Sequence, residues 1–196
     1  MNAKNIIISL VAVFTFSLIE VSAIPADAAE SYKLDSDHTS IVFRVMHLGV
    51  GNVYGSFAGA TGSLKYDENN PSNNSIEIQV GTANLYTAVE KRDNHLRSPD
   101  FFNTKKFPTI SFRSTSAKKI DSNSFELSGD LTLLEKTRPI TMNVVQTGQG
   151  KDPWGNFRRG FETTFSIKRS DFGMGFMLKA ASDEVLVTVS LEGIKQ

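Results

Sequence analysis

Apolar and polar residues alternate with a period of two through most of the chain. Residues 125–133 place apolar or small side chains at every second position, with Glu126, Ser128 and Asp130 between them. Successive side chains of a strand point to opposite faces of its sheet, so each such run indicates a strand with one buried and one wet face. The pattern predicts strands near residues 32–35, 39–47, 53–66 (bent at Gly59 or Gly62), 75–81, 109–119, 124–134, 138–148, 157–168 and 184–193.

The number and spacing of these strands predict the fold class. Turn-rich stretches such as residues 67–71 and 148–155 separate the runs. Eight or so meandering strands favour an all-β fold, either a closed antiparallel barrel or a sandwich. One helical segment is expected at residues 87–96. Because no linker, internal repeat or low-complexity stretch interrupts residues 30–196, we expect them to form one domain.

The first 29 residues have the pattern of a secretory signal peptide. Lys4 precedes an apolar run at residues 6–18, which is shorter than the roughly 20 residues that span a bilayer as a helix. The Ala26-Asp27-Ala28 sequence matches a signal cleavage site, so cleavage is expected after Ala28 or Ala29. A retained membrane anchor is the alternative. The processed protein is expected in the periplasm, or secreted, with no integral membrane span.

Composition excludes several classes of function. The 196 residues include 21 Lys and Arg against 21 Asp and Glu, and this balance argues against a nucleic-acid binder. The absence of cysteine excludes disulfide scaffolds, thiolate metal sites and cysteine nucleophiles. The chain also lacks the common serine-hydrolase, zinc-protease and phosphate-loop motifs. No catalytic residue, metal site or cofactor is therefore predicted.

Two histidines are the most noticeable polar candidates. His38 and His47 are nine residues apart, so in one regular strand they face opposite sides and do not share a ligand. Asp93 and His95 are two apart on the expected helix, a spacing that does not bring side chains together. Independent hydrogen bonding is the simpler interpretation of all four residues. Asp171 is expected to pair with an arginine.

Apolar side chains remain as candidates for function. A glycine-rich stretch at residues 171–178 contains Phe172, Met174, Phe176 and Met177, which suggests an adaptable apolar lining. The alternative is that these residues fill one end of a barrel as core.

Several segments resemble the YceI-like family of bacterial polyisoprenoid-binding proteins. The longest is residues 91–102 followed by residues 106–112, and this helix-to-strand signature is specific. Shorter matches occur in the family's order at residues 34–43, 45–47, 55–57, 128–132, 137–140 and 169–174. Asn94 departs from the family's usual glycine, a mild change because asparagine tolerates left-handed geometry. Together the matches cover nearly all of residues 32–191.

The resemblance implies a lipocalin-like antiparallel barrel with a helix against it. It also implies a long apolar ligand inside, such as a polyisoprenoid, a quinone tail or a fatty amide, and a possible homodimer. The candidates for ligand contact are Phe43, Val45, Phe57, Phe101, Phe102, Phe112, Phe165, Phe172, Met174, Phe176, His38 and His47, with Phe101 and Phe102 as possible gates. The two histidines are expected either to contact a polar head group or to brace strand ends.

Three functions stay open at this point. The first is non-catalytic transport or storage of a lipid. The second is an enzyme that acts on a lipid, which would need a perturbed acid or base facing the cavity. The third is a structural or interaction protein whose barrel is filled.

Overall fold

The computed structural model describes residues 29–196 as eleven strands and one α-helix. All strand pairs are antiparallel. The elements in chain order are β1 (Glu30–Leu34), β2 (Ser40–His47), β3 (Gly51–Phe57), β4 (Thr61–Tyr66), β5 (Ser75–Gly81), β6 (Leu85–Tyr86), α1 (Glu90–Arg97), β7 (Thr109–Lys119), β8 (Ser124–Leu133), β9 (Lys136–Lys151), β10 (Phe157–Lys168) and β11 (Ala181–Lys195).

The strands close into a barrel because the first six are segments of three long, interrupted strands. β1 and β2 pair with the same edge of β11, at Gly193–Lys195 and Ala181–Ser190. Next in the ring, β3 pairs with β2 and β4 pairs with β1. On their other edges, β3 pairs with β6 and β4 pairs with β5. β7 to β11 complete the ring in chain order. The predicted barrel of eight antiparallel strands with one short helix is confirmed.

The bend predicted within residues 53–66 is an interruption of the strand. Residues 58–60 separate β3 from β4, and Gly59 there has a φ of +72°. This left-handed conformation suits glycine and turns the chain out of the ladder. Ala60 is fully buried beside it, so the interruption is packed into the barrel. The short strand β6 was not predicted.

The helix lies close to its predicted position, at Glu90–Arg97. Glu90 and Asp93 occupy its first turn, while His95 and Arg97 occupy its last, an arrangement that complements the helix dipole. Asp93 is buried and accepts hydrogen bonds from the backbone N–H and hydroxyl of Thr87. Arg97 donates to the carbonyls of Ala83 (3.2 Å) and Leu85 (2.5 Å). These bonds fix α1 to the segment that carries β6.

The predicted signal peptide falls outside the described residues, apart from Ala29. Among residues 29–196, no helix has the length and hydropathy needed to cross a membrane.

Candidate functional site

The barrel encloses an apolar cavity of about 450 Å³. This volume lies within the roughly 300–1,000 Å³ that is usual for ligand pockets. Alternation along the long strands supplies the wall, since every second side chain points inward. On β11 the inward residues are Val185, Val187, Val189 and Leu191, and β10 contributes Phe161, Phe165 and Ile167. The rest of the wall includes Ile41, Leu64, Ile76, Ile78, Val80, Ile110, Leu127, Leu131, Ile140, Met142 and Val144.

One end of the barrel is closed by aromatic side chains and a buried arginine. The rings of Tyr66 and Phe161 pack with centroids 5.3 Å apart, and the guanidinium of Arg159 lies 4.1 Å from the Tyr66 centroid. Arg159 is buried and donates to the hydroxyl of Tyr32 (3.1 Å) and to Gln146 (3.0 Å). Burial raises the pKa of both tyrosines, so they stay neutral. This end is therefore a packed floor.

The other end carries α1 and forms the mouth of the cavity. His95 and Leu96 of α1 line the cavity there, together with Phe101 and Phe102 from the following turn. The Phe102 ring meets the Phe57 ring edge-on at 5.4 Å, and the Phe57 ring lies 5.6 Å from that of Phe43. A row of aromatic rings thus runs from the mouth into the interior.

Arg169 organises the loop that lies beside α1 at the mouth. Its buried guanidinium lines the cavity and donates hydrogen bonds to four backbone carbonyls of residues 174–182, each at 2.8 or 2.9 Å. The acceptors are the carbonyls of Met174, Phe176, Ala181 and Ser182. Hydrogen bonds to a charged donor are among the stronger kind, so this arginine holds the loop in one conformation.

Nine of the twelve predicted ligand-contact residues line the cavity. They are Phe43, Val45, Phe57, Phe101, Phe102, Phe112, Phe165, Met174 and His47. His47 is exposed at the mouth, at the end of β2, while the aromatic residues reach deeper. Contact with a ligand remains a prediction for each of them.

The other three residues lie elsewhere. Phe172 is 2% exposed but does not line the cavity; it belongs to a 3₁₀ turn at Arg169–Phe172, where alternation does not apply. Phe176 lies outside the cavity, with its ring 5.7 Å from that of His95 and 5.5 Å from that of Phe101. His38 lies in the break between β1 and β2 and bonds Asp35 at 2.9 Å. The prediction that Phe172 and Phe176 line the interior was therefore wrong. The position of His38 agrees with the other role expected for it, that of bracing the end of a strand.

The arginine partner predicted for Asp171 was also wrong. Asp171 is exposed and forms no ion pair within the described residues. Asp183 is the carboxylate that binds this turn, because it accepts hydrogen bonds from the backbone N–H and hydroxyl of Ser170. Arg169 turns instead to backbone carbonyls.

The inward valines of β11 are the main residues that were not chosen from the sequence. Val185, Val187 and Val189 stood out in the alternation, which shows that they share a face. Alternation alone does not show whether that face lines a cavity or a filled core, so the sequence does not single out these valines. The same holds for Ile76 and Ile78 on β5.

A charged cluster lies at the closed end, outside the cavity. Arg158 bonds Asp35 (2.6 Å), Asp152 (2.7 Å) and Glu192, and His38 joins through Asp35. The hydrogen bond from Arg158 is the main cause that lowers the pKa of Asp35 to about 2. The group of Asp35, His38 and Glu192 has the ligand atoms for a cation, but the guanidinium already neutralises it. Its geometry is that of a link between β1, β10 and β11.

Comparison with known proteins places this geometry in a family. Residues 32–193 match the YceI-like domain. The chain belongs to the YceI-like family. It is 42% identical over 184 residues to Protein YceI of Escherichia coli O157:H7, covering 93% of this chain and 95% of that protein.

Solved structures share the fold. BcnA of Burkholderia cenocepacia superposes with a TM-score of 0.74 at 20% identity, covering 81% of this chain and 98% of that one. A polyisoprenoid binding domain from Saccharophagus degradans, implicated in plant cell wall breakdown, superposes with a TM-score of 0.67 at 13% identity, covering 85% of this chain and 99% of that domain. At these identities the two structures are evidence for the fold alone.

Proposed function

We propose that this protein binds a long apolar lipid in the barrel without catalysis and carries or stores it outside the cytoplasm. The observation that carries the proposal is the apolar cavity of about 450 Å³ with a packed floor and an aromatic mouth. The YceI-like family and the polyisoprenoid binding domain of Saccharophagus degradans support a lipid chain as the ligand. A polyisoprenoid, a quinone tail or a fatty amide has the required chemistry.

The energetics suit a ligand recognised by its chain. Each CH₂ group moved from water into the cavity contributes about 0.8 kcal/mol. Association costs on the order of 4–15 kcal/mol in lost freedom. A chain of a few isoprene groups therefore has enough driving force without a charged clamp. We infer that chain length and branching determine affinity more than the head group does.

Two other functions fit the geometry less well. A filled barrel predicts no cavity, whereas residues 29–196 enclose one. An enzyme needs a perturbed acid or base on the cavity wall. His38 and Asp171 do not line the cavity, and His47 lies exposed at the mouth. Non-catalytic binding is the simpler use of this wall. The expected location, periplasmic or secreted, rests on the signal-like sequence of residues 1–29.

Calorimetric titration of the delipidated protein tests the proposal. The titrants are a long prenol, its saturated straight-chain alcohol, and a short prenol of the same head group. The long prenol is expected to bind at one per chain with a negative heat-capacity change, the marker of apolar burial. The short prenol is expected to bind far more weakly. Equal binding of the two prenols, or no binding of either, would contradict the proposal.

A further inference from the structure

Exposed apolar side chains are concentrated at the mouth of the barrel. Among the described residues, twelve large apolar side chains are exposed. Ile120, Val145 and Trp154 lie toward the closed end, and the remaining nine lie toward the end that carries α1. The nine are Met46, Leu48, Val50, Tyr54, Tyr86, Val89, Phe176, Met177 and Leu178. Large exposed apolar patches mark binding surfaces for proteins or membranes.

Six of these residues form one continuous surface, which we call the mouth rim: Met46, Leu48, Val50, Phe176, Met177 and Leu178. The first three lie on the β2–β3 hairpin and the others on the loop before β11. The two segments are joined by a hydrogen bond from Leu48 N–H to the Ala180 carbonyl (2.8 Å). A second bond runs from Met46 N–H to the Ser182 hydroxyl (3.1 Å). The rim is thus a built surface and not a set of scattered side chains.

The mouth rim is continuous with the cavity. Met177 belongs to both, and the neighbouring Ala180 and His47 also line the cavity. Phe176 packs against His95 and Phe101 at the mouth. A partner seated on the rim would therefore lie directly over the entrance. A lipid that leaves this entrance would meet that partner before it meets water.

The charge of the rim identifies the partner. Residues 46–51 and 173–182 contain no aspartate or glutamate, and their one fixed charge is the exposed Lys179. Around the rim the charges are mixed: Lys136, whose ammonium lies beside Gly173, and Lys168 are accompanied by the exposed Glu135 and Asp171. The carboxylate of Asp183 is occupied by hydrogen bonds from Ser170. An apolar surface whose own one fixed charge is a lysine is a composition that favours an anionic bilayer surface.

We propose that the mouth rim docks on a bilayer that contains anionic lipids, with Val50 and Leu178 inserted at the headgroup boundary. The idea rests on the proposed function, since it names the surface from which the apolar ligand enters the cavity. Val50 is 87% exposed at the tip of its hairpin, so its side chain is free to insert without rearrangement of the barrel.

Vesicle sedimentation tests the docking without any ligand. The processed protein is mixed with vesicles of phosphatidylcholine alone, or of phosphatidylcholine with phosphatidylglycerol. Wild type is expected to sediment with the anionic vesicles and to be released by high salt. V50D and L178D are expected to weaken partition at least tenfold each. K179E is expected to abolish the preference for anionic vesicles.

The chain offers matched controls at the closed end. Trp154 is 79% exposed there and Lys151 is also exposed, so W154D and K151E make the same chemical changes away from the rim. Both are expected to partition like wild type. None of the substituted residues lines the cavity, so every variant should keep its thermal midpoint and its affinity for a soluble prenol in solution.

The outcomes separate docking from ligand binding. Loss of partition in V50D and L178D with retained prenol binding supports the docking. Wild type that binds prenol but does not sediment overturns the docking and leaves the proposed function intact. Sedimentation by wild type that binds no prenol overturns the proposed function alone. If wild type does not bind vesicles but forms a dimer in sedimentation velocity, and V50D forms none, then the mouth rim binds a second copy of the chain. That result overturns the docking.

Discussion

The inward face of β11 allows a test in which shape is kept and only polarity changes. Val187 lies opposite Phe165 and Phe43 in the ladder, and Val189 lies opposite Thr163 and Ile41. Both valines line the cavity and are only partly buried by the protein itself. Threonine has nearly the same shape as valine, so replacement of both valines by threonine puts two hydroxyl groups where a ligand chain would lie and leaves the shape of the wall unchanged. In the empty protein water can hydrate those hydroxyls, so folding should change little.

The magnitude follows from the cost of an unpaired hydroxyl. Mutational data put the burial of a hydroxyl without a hydrogen bond at about 1–3 kcal/mol. Two buried hydroxyl groups cost about 2 kcal/mol at the low end of this range, which corresponds to a dissociation constant roughly 30-fold higher. The matched control is T188V, because Thr188 points outward and bonds the hydroxyl of Thr164 at 3.0 Å. T188V should bind like wild type.

Calorimetric titration with one long prenol measures the dissociation constant of wild type, V187T/V189T and T188V. Thermal unfolding verifies that all three are folded. A V187T/V189T protein that binds as tightly as wild type would refute the assignment of this wall to the ligand. Equal weakening in T188V would show that the effect comes from distortion of β11.

Three further predictions concern the surroundings of the cavity. F172A should lower the free energy of unfolding by about 3–5 kcal/mol in denaturant titration, because the ring is buried outside the cavity, and should leave prenol affinity unchanged. R169Q should free the loop before β11, so trypsin should cleave after Lys179 faster than in wild type, as followed by mass spectrometry. R158Q should cost roughly 1.5–3 kcal/mol near neutral pH. The hydrogen bond from Arg158 is the largest of the causes that lower the pKa of Asp35 from 3.8 to about 2, so the part of this contribution that comes from Asp35 is present above pH 4 and is lost as the pH falls through 2. Arg158 also lowers the pKa of Asp152, which stays ionised at lower pH, so unfolding measured from pH 4 to pH 2 should show the difference between the two proteins narrow without vanishing.

The regular strands could be predicted from the sequence because alternation is a local signal. Residues 109–119 and 157–168 were predicted with the bounds that the structure has. The closure of the barrel could not be predicted from this alternation. It depends on β1 and β2 sharing one edge of β11, a contact between the two ends of the described chain. The resemblance to the YceI-like family supplied that closure.

The cavity wall was predicted well where it is built on strands and poorly where it is not. Phe43, Phe112 and Phe165 follow the period of two, so each could be placed on the apolar face of its strand, and the structure shows that these faces line the cavity. Phe172 and His38 lie in a 3₁₀ turn and in a strand break, where counting by two has no meaning. The role of Arg169 could not be predicted either, because its partners are backbone carbonyls, which every residue has whatever its type.

The central claim is that the cavity carries a long apolar lipid, and the most direct test is to identify what the protein holds. The protein is purified from its own host without detergent, extracted with organic solvent and analysed by mass spectrometry, with the V187T/V189T protein as the control. The account predicts an isoprenoid, quinone or fatty amide at about one per chain in wild type and a reduced amount in the variant. A lipid-free wild-type extract from a protein that also fails to bind added long-chain isoprenoids would contradict it.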